Sequence, residues 1–148
     1  MANETDIADG IRDEYVRDSR IPYPAEVAIW VQDRTVTLRG TVGSPKQRHA
    51  ASEIAKSVRG VRTVEDELTV DPLARHEDLE LKGAALQALM SSDDAPADRI
   101  DVSVHAGWVT LKGEVRHQHE SDAAFDAVSG LSDGGLTNAI KVVSPSGR

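Results

Sequence analysis

One stretch of this chain occurs twice. Val36-Thr37-Leu38-Arg39-Gly40-Thr41-Val42 returns as Val109-Thr110-Leu111-Lys112-Gly113-Glu114-Val115, 73 positions later. The offset holds beyond that core. Val27, Ile29 and Val31 fall on Ile100, Val102 and Val104, and Ala8, Ile11, Tyr15 and Val16 fall on Leu81, Ala84, Ala88 and Leu89. After one residue is dropped, Leu68 and Val70 fall on Ile140 and Val142. A repeat of this extent implies two copies of one small domain in tandem, expected over residues 1–72 and 73–148. Halves of that size lie near the lower limit for a self-sufficient core. With only two Trp, two Tyr and one Phe, those cores must be built from Val, Leu, Ile and Ala.

Hydrophobic periodicity gives the elements of each copy. Leu81, Ala84, Ala85, Ala88 and Leu89 follow the one-face spacing of a helix, as do Ala8, Ile11, Arg12, Tyr15 and Val16. Arg12 interrupts the second of these stripes, which predicts a less firmly held helix. Strict alternation then marks paired strands: Val27, Ile29 and Val31, then Val36, Leu38, Gly40 and Val42, with two-residue turns at Asp33-Arg34 and Ala106-Gly107. Gly40 and Gly113 fall on the apolar phase, where a missing side chain lets a helix or backbone approach closely. Ser44-Pro45-Lys46-Gln47 reads as a capped helix start leading into Ala50, Ala51, Ile54, Ala55 and Val58, with Gly60 as the stop. The second copy repeats the stripe with Ala123, Ala124, Ala127, Val128 and Leu131, expected to end near Gly134-Gly135, and its cap is poorer because His117 and Gln118 replace Ser44 and Pro45. Last strands run through Val64, Asp66, Leu68 and Val70 and through Leu136, Asn138, Ile140 and Val142. Asp66 and Asn138 break the apolar face at one place, which predicts a position at the sheet's rim. The expected fold is α+β: two tandem α-β-β-α-β units, each a three-stranded mixed sheet with two helices on one face.

Charge and composition narrow the function. A net charge of −8 disfavours nucleic acid and anionic lipid as general partners, since both are bound by clustered Lys and Arg. The absence of Cys excludes disulfides, thiolate metal sites and a Cys nucleophile. The start, Met1-Ala2-Asn3-Glu4-Thr5-Asp6, has no basic or apolar leader pattern, and no apolar run reaches the roughly 18 residues of a membrane span. The expected location is cytoplasmic as given, or periplasmic if a leader has been removed.

The string Val27-x-Ile29-x-Val31, a turn, Val36-x-Leu38-x-Gly40-x-Val42, then Ala50, Ala51, Ile54 and Ala55, then Gly60-Val61-x-x-Val64-x-x-x-Leu68-x-Val70 resembles the BON domain, named for bacterial osmotic-stress and nodulation proteins. The second copy resembles it from Ile100 to Val143, departing at Gly134-Gly135. The resemblance implies a non-catalytic binding module associated with phospholipid, envelope integrity and osmotic stress. Alternatives are a soluble protein-interaction or chaperone-like stress module, or a small-ligand or ion (potassium-type) binding protein. Lipid-binding members use a helix with basic and apolar surface; here the corresponding helix carries Glu77, Asp78 and Glu80 against Lys82, so no lipid-binding residues are carried over. The partner expected is membrane lipid or another protein, with no nucleic acid, no cofactor and no metal.

Trp30 and Trp108 fall on the polar phase of their strands, the face that the helices of the same copy leave open, together with Arg39, His105 and Lys112. Two readings fit. Either the open faces of the copies pack on each other with Trp in the seam, or they form a partner platform. His117-x-His119 and His105 suggest chelation only weakly, because solvated histidines at a hairpin end and helix start look the same. The acidic runs Asp9 to Glu14 and Glu65-Asp66-Glu67 read as solvated surface. Ser44 and His49 are close in sequence, but Ser44 already serves as a helix cap.

Overall fold

The computed structural model describes residues 3–132 and 134–143. It contains α1 (Glu4–Arg17), a 3-10 turn (Pro24–Glu26), β1 (Val27–Gln32), β2 (Thr35–Val42), α2 (Pro45–Ser57) and β3 (Thr63–Val70). There follow α3 (His76–Met90), a second 3-10 turn (Ala97–Arg99), β4 (Ile100–His105), β5 (Trp108–Val115), α4 (Gln118–Val128) and β6 (Leu136–Val142). The order is that of two α-β-β-α-β units, and the class is α+β. By internal packing the chain divides into residues Met1–Gly83 and Ala84–Arg148, so the first two turns of α3 belong to the first unit. The sequence repeat, read as parting after residue 72, and the packing units therefore differ by the three residues before α3 and its first two turns.

Each sheet has three strands, in the order β1-β2-β3 and β4-β5-β6. The first pair is antiparallel and the second parallel, as a helical crossover requires. Gln32 pairs with Thr35 and His105 with Trp108, which fixes two-residue turns. Asp33 (φ 52), Arg34 (φ 64), Ala106 (φ 50) and Gly107 (φ 82) all take positive φ, the geometry that matches a hairpin's twist.

The first unit's core is one cluster. Ile7, Ile11 and Tyr15 from α1 and Ala50, Ala51, Ile54 and Ala55 from α2 lie on Val27, Ile29, Val31, Val36, Leu38 and Leu68 of the sheet. Tyr15 is fully enclosed, and its hydroxyl donates to the Ala51 carbonyl at 2.8 Å, tying the two helices together. Val16, expected on the buried stripe, is instead largely exposed, because the helix turns Ile7, Ile11 and Tyr15 inward. Arg12 does not loosen α1. Its guanidinium donates to the carbonyls of Pro24 (2.8 Å) and Val27 (2.9 Å), so the residue that breaks the stripe anchors the helix to the start of β1.

Gly40 and Gly113 have φ of +132° and +142°. A Cβ on either would run into the carbonyl oxygen of Glu26 or Arg99. The close approach is thus made by the backbone of the 3-10 turn before the first strand, not by a helix. α2 opens as read, with Ser44 Oγ accepting from the Gln47 N–H at 3.1 Å and Pro45 at the first position. Its last residue is Ser57, and Gly60 (φ 99) turns the chain three residues later. α4 replaces the missing Ser cap with Glu120, whose Oε1 accepts from the N–H groups of Arg116 and His117, both at 3.0 Å. That helix stops at Val128, before the expected Gly134-Gly135, which leaves Leu131 in an exposed loop position.

Asp66 and Asn138 sit on β3 and β6, which are edge strands. Each uses Oδ1 to accept the N–H two residues on, from Leu68 (3.0 Å) and Ile140 (3.1 Å). Each also reaches the crossover helix, Asp66 to Arg48 and Asn138 to Ser121. The break in the apolar face therefore serves the strand edge: a side chain occupies a backbone donor that an added strand would need.

Candidate binding surfaces

The face of the first sheet away from α1 and α2 carries Trp30 beside Thr37 and, one pair along, the fully buried Ala28 beside Arg39, so across β1 and β2 it is exposed only at its Trp30 end. Trp30 is 40 % exposed. Arg39 is more enclosed, 16 % exposed in its side chain, and faces Glu67 at 3.8 Å. Thr37 Oγ1 meets Glu65 Oε1 at 3.4 Å. Sheet pairing therefore brings Trp30 and Arg39 together, with the cation already beside a carboxylate. Gly40 lies on the opposite phase of β2, paired with Val27, and Gly60 lies in the turn between α2 and β3.

The second sheet places His105 directly opposite Trp108 at the hairpin end, and Lys112 opposite Asp101 further along. Trp108 is 50 % exposed. Its indole N–H donates to Thr137 Oγ1 at 2.7 Å. A Cβ on Gly135 would lie 2.5 Å from the indole ring, so the ring rests against that glycine's backbone. Here lies the reason for the Gly134-Gly135 departure: Gly135 (φ +136) makes the seat of Trp108. Ser132 completes the seat, donating to the Gly107 carbonyl at 2.6 Å and accepting from the N–H groups of Gly134 and Gly135. The two Trp residues are not equivalents. Ser103 stands where Trp30 would repeat, and Thr35 where Trp108 would.

A cluster that periodicity does not reveal lies at the other end of the first unit. Glu26 is fully buried. One carboxylate oxygen meets His76 Nδ1 at 2.9 Å and the other accepts from Gln47 Nε2 at 3.2 Å. The His76 ring stacks on Tyr23, centroids 3.8 Å apart. Burial pushes the Glu26 carboxyl up; His76 and Gln47 pull it back, Glu80 adds to the push, and the net direction is upward. The one sequence signal is a mismatch between copies, since Arg99 stands where Glu26 would repeat.

His117 and His119 stack with centroids 5.4 Å apart. Among the described residues, no group of three or more His, Cys, Asp or Glu is placed to hold a metal ion. Among the same residues, no helix is long and apolar enough to cross a membrane.

Comparison with known proteins follows the repeat. The family model of the BON domain matches residues 3–72 and again residues 77–144. Osmotically-inducible protein Y of Escherichia coli (strain K12) is 30 % identical over 118 residues, which cover 74 % of this chain and 57 % of that protein. The chain thus spans little more than half the length of that relative. Among solved structures, CdsD, a structural protein of the type III secretion system of Chlamydia trachomatis, aligns over 94 % of this chain and 93 % of its own, at 11 % identity and a TM-score of 0.39.

Proposed function

The chain belongs to the BON domain family, and on that premise we propose that it is a non-catalytic binding module of the osmotic-stress response, taking a protein partner on its open sheet faces. The stress context is carried over from the relative's name. One observation carries the partner assignment: each unit presents a half-exposed Trp on a strand. A Trp so placed offers a large apolar face with a polar edge, the composition of an interface anchor. A non-catalytic role accords with Ser44, whose hydroxyl is occupied as a helix cap.

Phospholipid, which the family resemblance implies, is the second reading. An indole suits a lipid interface as well as a protein one. The charges weigh against anionic membrane. Arg39 lies beside Glu67, α3 opens with Glu77 and Asp78, and the chain carries −8 overall. Basic residues near an anionic surface contribute about 1 kcal/mol each, and acidic neighbours oppose them. Vesicle flotation tests the choice. The protein is expected to stay with the soluble fraction over both zwitterionic and anionic vesicles at physiological salt; tight flotation with anionic vesicles would reverse the order of the readings.

A further inference from the structure

We propose that the hairpin end of the first unit is a docking corner for an acidic protein segment, received by Arg34, Lys56, Arg59 and Arg62. The inference rests on the protein-partner reading above and adds the charge of that partner. Arg34 sits in the turn from β1 to β2, Lys56 in the last turn of α2, and Arg59 and Arg62 in the connection from α2 to β3. The backbone closes these pieces on one another. The Arg34 carbonyl accepts the N–H of Arg62 at 2.9 Å and that of Thr63 at 3.4 Å, and the Val61 N–H donates to the Val58 carbonyl at 3.2 Å. All four cations are exposed. One row of the sheet, Gln32 with Thr35 and Thr63, separates the corner from Trp30.

Their surroundings set these four apart. Elsewhere in the unit Arg17, Arg20, Arg39, Arg48 and Arg75 each stand beside a carboxylate, and Arg12 holds two carbonyls. Among the described residues, the corner's four cations make no ion pair and no side-chain hydrogen bond. The dipole of α2 favours Lys56 in its last turn, but that effect fades within a turn and gives no reason for Arg34 on the hairpin. The second copy shows that the fold does not require them. At the same corner it has Gly107, Ser129 and Ser132. Counted back from the matching pairs Val36 with Val64 and Val109 with Leu136, Gly134 stands where Arg62 does. There Gly107, Ser132 and Gly134 build the seat of Trp108. One corner of the fold is thus an aromatic seat in the second copy and a cationic end in the first. Its border narrows the partner. Glu4 accepts the Asp33 N–H at 2.8 Å, Glu65 meets Thr37, and α1 carries further acids in Asp6 and Asp9. A membrane or a duplex, charged over its whole extent, would meet those carboxylates as well. A short acidic segment reaches the four cations without crossing them, and gains its specificity from that difference.

Titration of the full chain with a poly-glutamate peptide, followed by backbone NMR at low ionic strength, tests the corner. Saturable shifts are expected at Arg34, Lys56, Arg59 and Arg62, and none at Gly107, Ser129, Ser132 and Gly134. A poly-lysine peptide should leave the corner unshifted. Arg34→Gly, Lys56→Ser, Arg59→Ser and Arg62→Gly together install the second copy's residues; all four sites are exposed, and a glycine suits the φ of 64° at position 34. This combined variant is expected to bind the poly-glutamate peptide at least about tenfold more weakly. No saturable shift overturns the corner, as does unchanged binding in the combined variant. Phosphatidylglycerol vesicles or inorganic phosphate acting on the same residues more strongly than the peptide also overturn it, in favour of a phosphate ligand. Cross-linking from position 30 judges the partner reading apart. An adduct undiminished in the combined variant leaves that reading standing and overturns the corner. No adduct from the wild-type chain removes the reading, and the peptide titration then decides the corner alone.

Discussion

Gly40→Ala adds one methyl group where the first unit has no room for it. The new Cβ would meet the Glu26 carbonyl oxygen, which cannot yield easily because Val27, the next residue, is paired with Gly40 itself. The backbone is a second obstacle: at φ +132° a side chain is strained wherever it points. Strain of this kind costs about 1–3 kcal/mol and overpacking a further 1–3 kcal/mol or so, giving about 2–6 kcal/mol together. A domain the size of the first unit, Met1–Gly83, has about 4–12 kcal/mol in total, so the loss is a large fraction of it. Each unit contains one Trp, which makes unit-specific fluorescence available. Urea unfolding of Gly40→Ala in a Trp108→Phe background, followed by Trp30, should show a midpoint lower by about 1 M or more. Gly113→Ala in a Trp30→Phe background should behave likewise. A midpoint matching the parent protein would refute the close approach at the 3-10 turn.

Arg12→Ala removes two carbonyl partners and should cost about 2–4 kcal/mol in a urea melt; Arg12→Lys should recover only part, since an ammonium lacks the planar fork. Tyr15→Phe should cost about 1 kcal/mol at neutral pH. Burial pushes the Tyr15 phenol well above its usual value, so its contribution is full below about pH 10 and lost as the pH rises further; the variant should show a flatter alkaline loss of stability. A first unit ending at residue 72 should be less stable by about 1–3 kcal/mol than one ending at residue 83, because it leaves Glu26 and Thr41 without His76 and Lys82. Equal thermal midpoints for the two lengths would remove the first turns of α3 from that unit.

The repeat made the fold legible, because alternation and helical spacing record which face of each element is buried. Strand pairing, turn positions and the α2 cap all follow from local patterns of that kind. The residues whose roles were not legible share a different property. Arg12 is judged by spacing as a flaw in a stripe, yet its long side chain reaches carbonyls 12 and 15 positions away. Asp66 and Asn138 look like lapses in an apolar face until the edge N–H that each occupies is known. Glu26 is followed at once by a strand residue and has no periodic neighbour to mark it; its partners lie 21 and 50 positions on. The open faces were visible as a phase, and Trp30 and Trp108 fall on it. That phase carries no record of the Gly135 seat, which depends on a loop meeting the hairpin end.

A partner taken on the open sheet faces during osmotic stress must lie within reach of side chains on those faces. A photo-crosslinking residue placed singly at positions 30, 108 and 16 tests it most directly, Val16 being an exposed control on α1. Positions 30 and 108 are expected to give the same discrete protein adduct, stronger after osmotic upshift, and position 16 none. Adducts of equal strength from all three positions, or none from 30 and 108 under upshift, would contradict it.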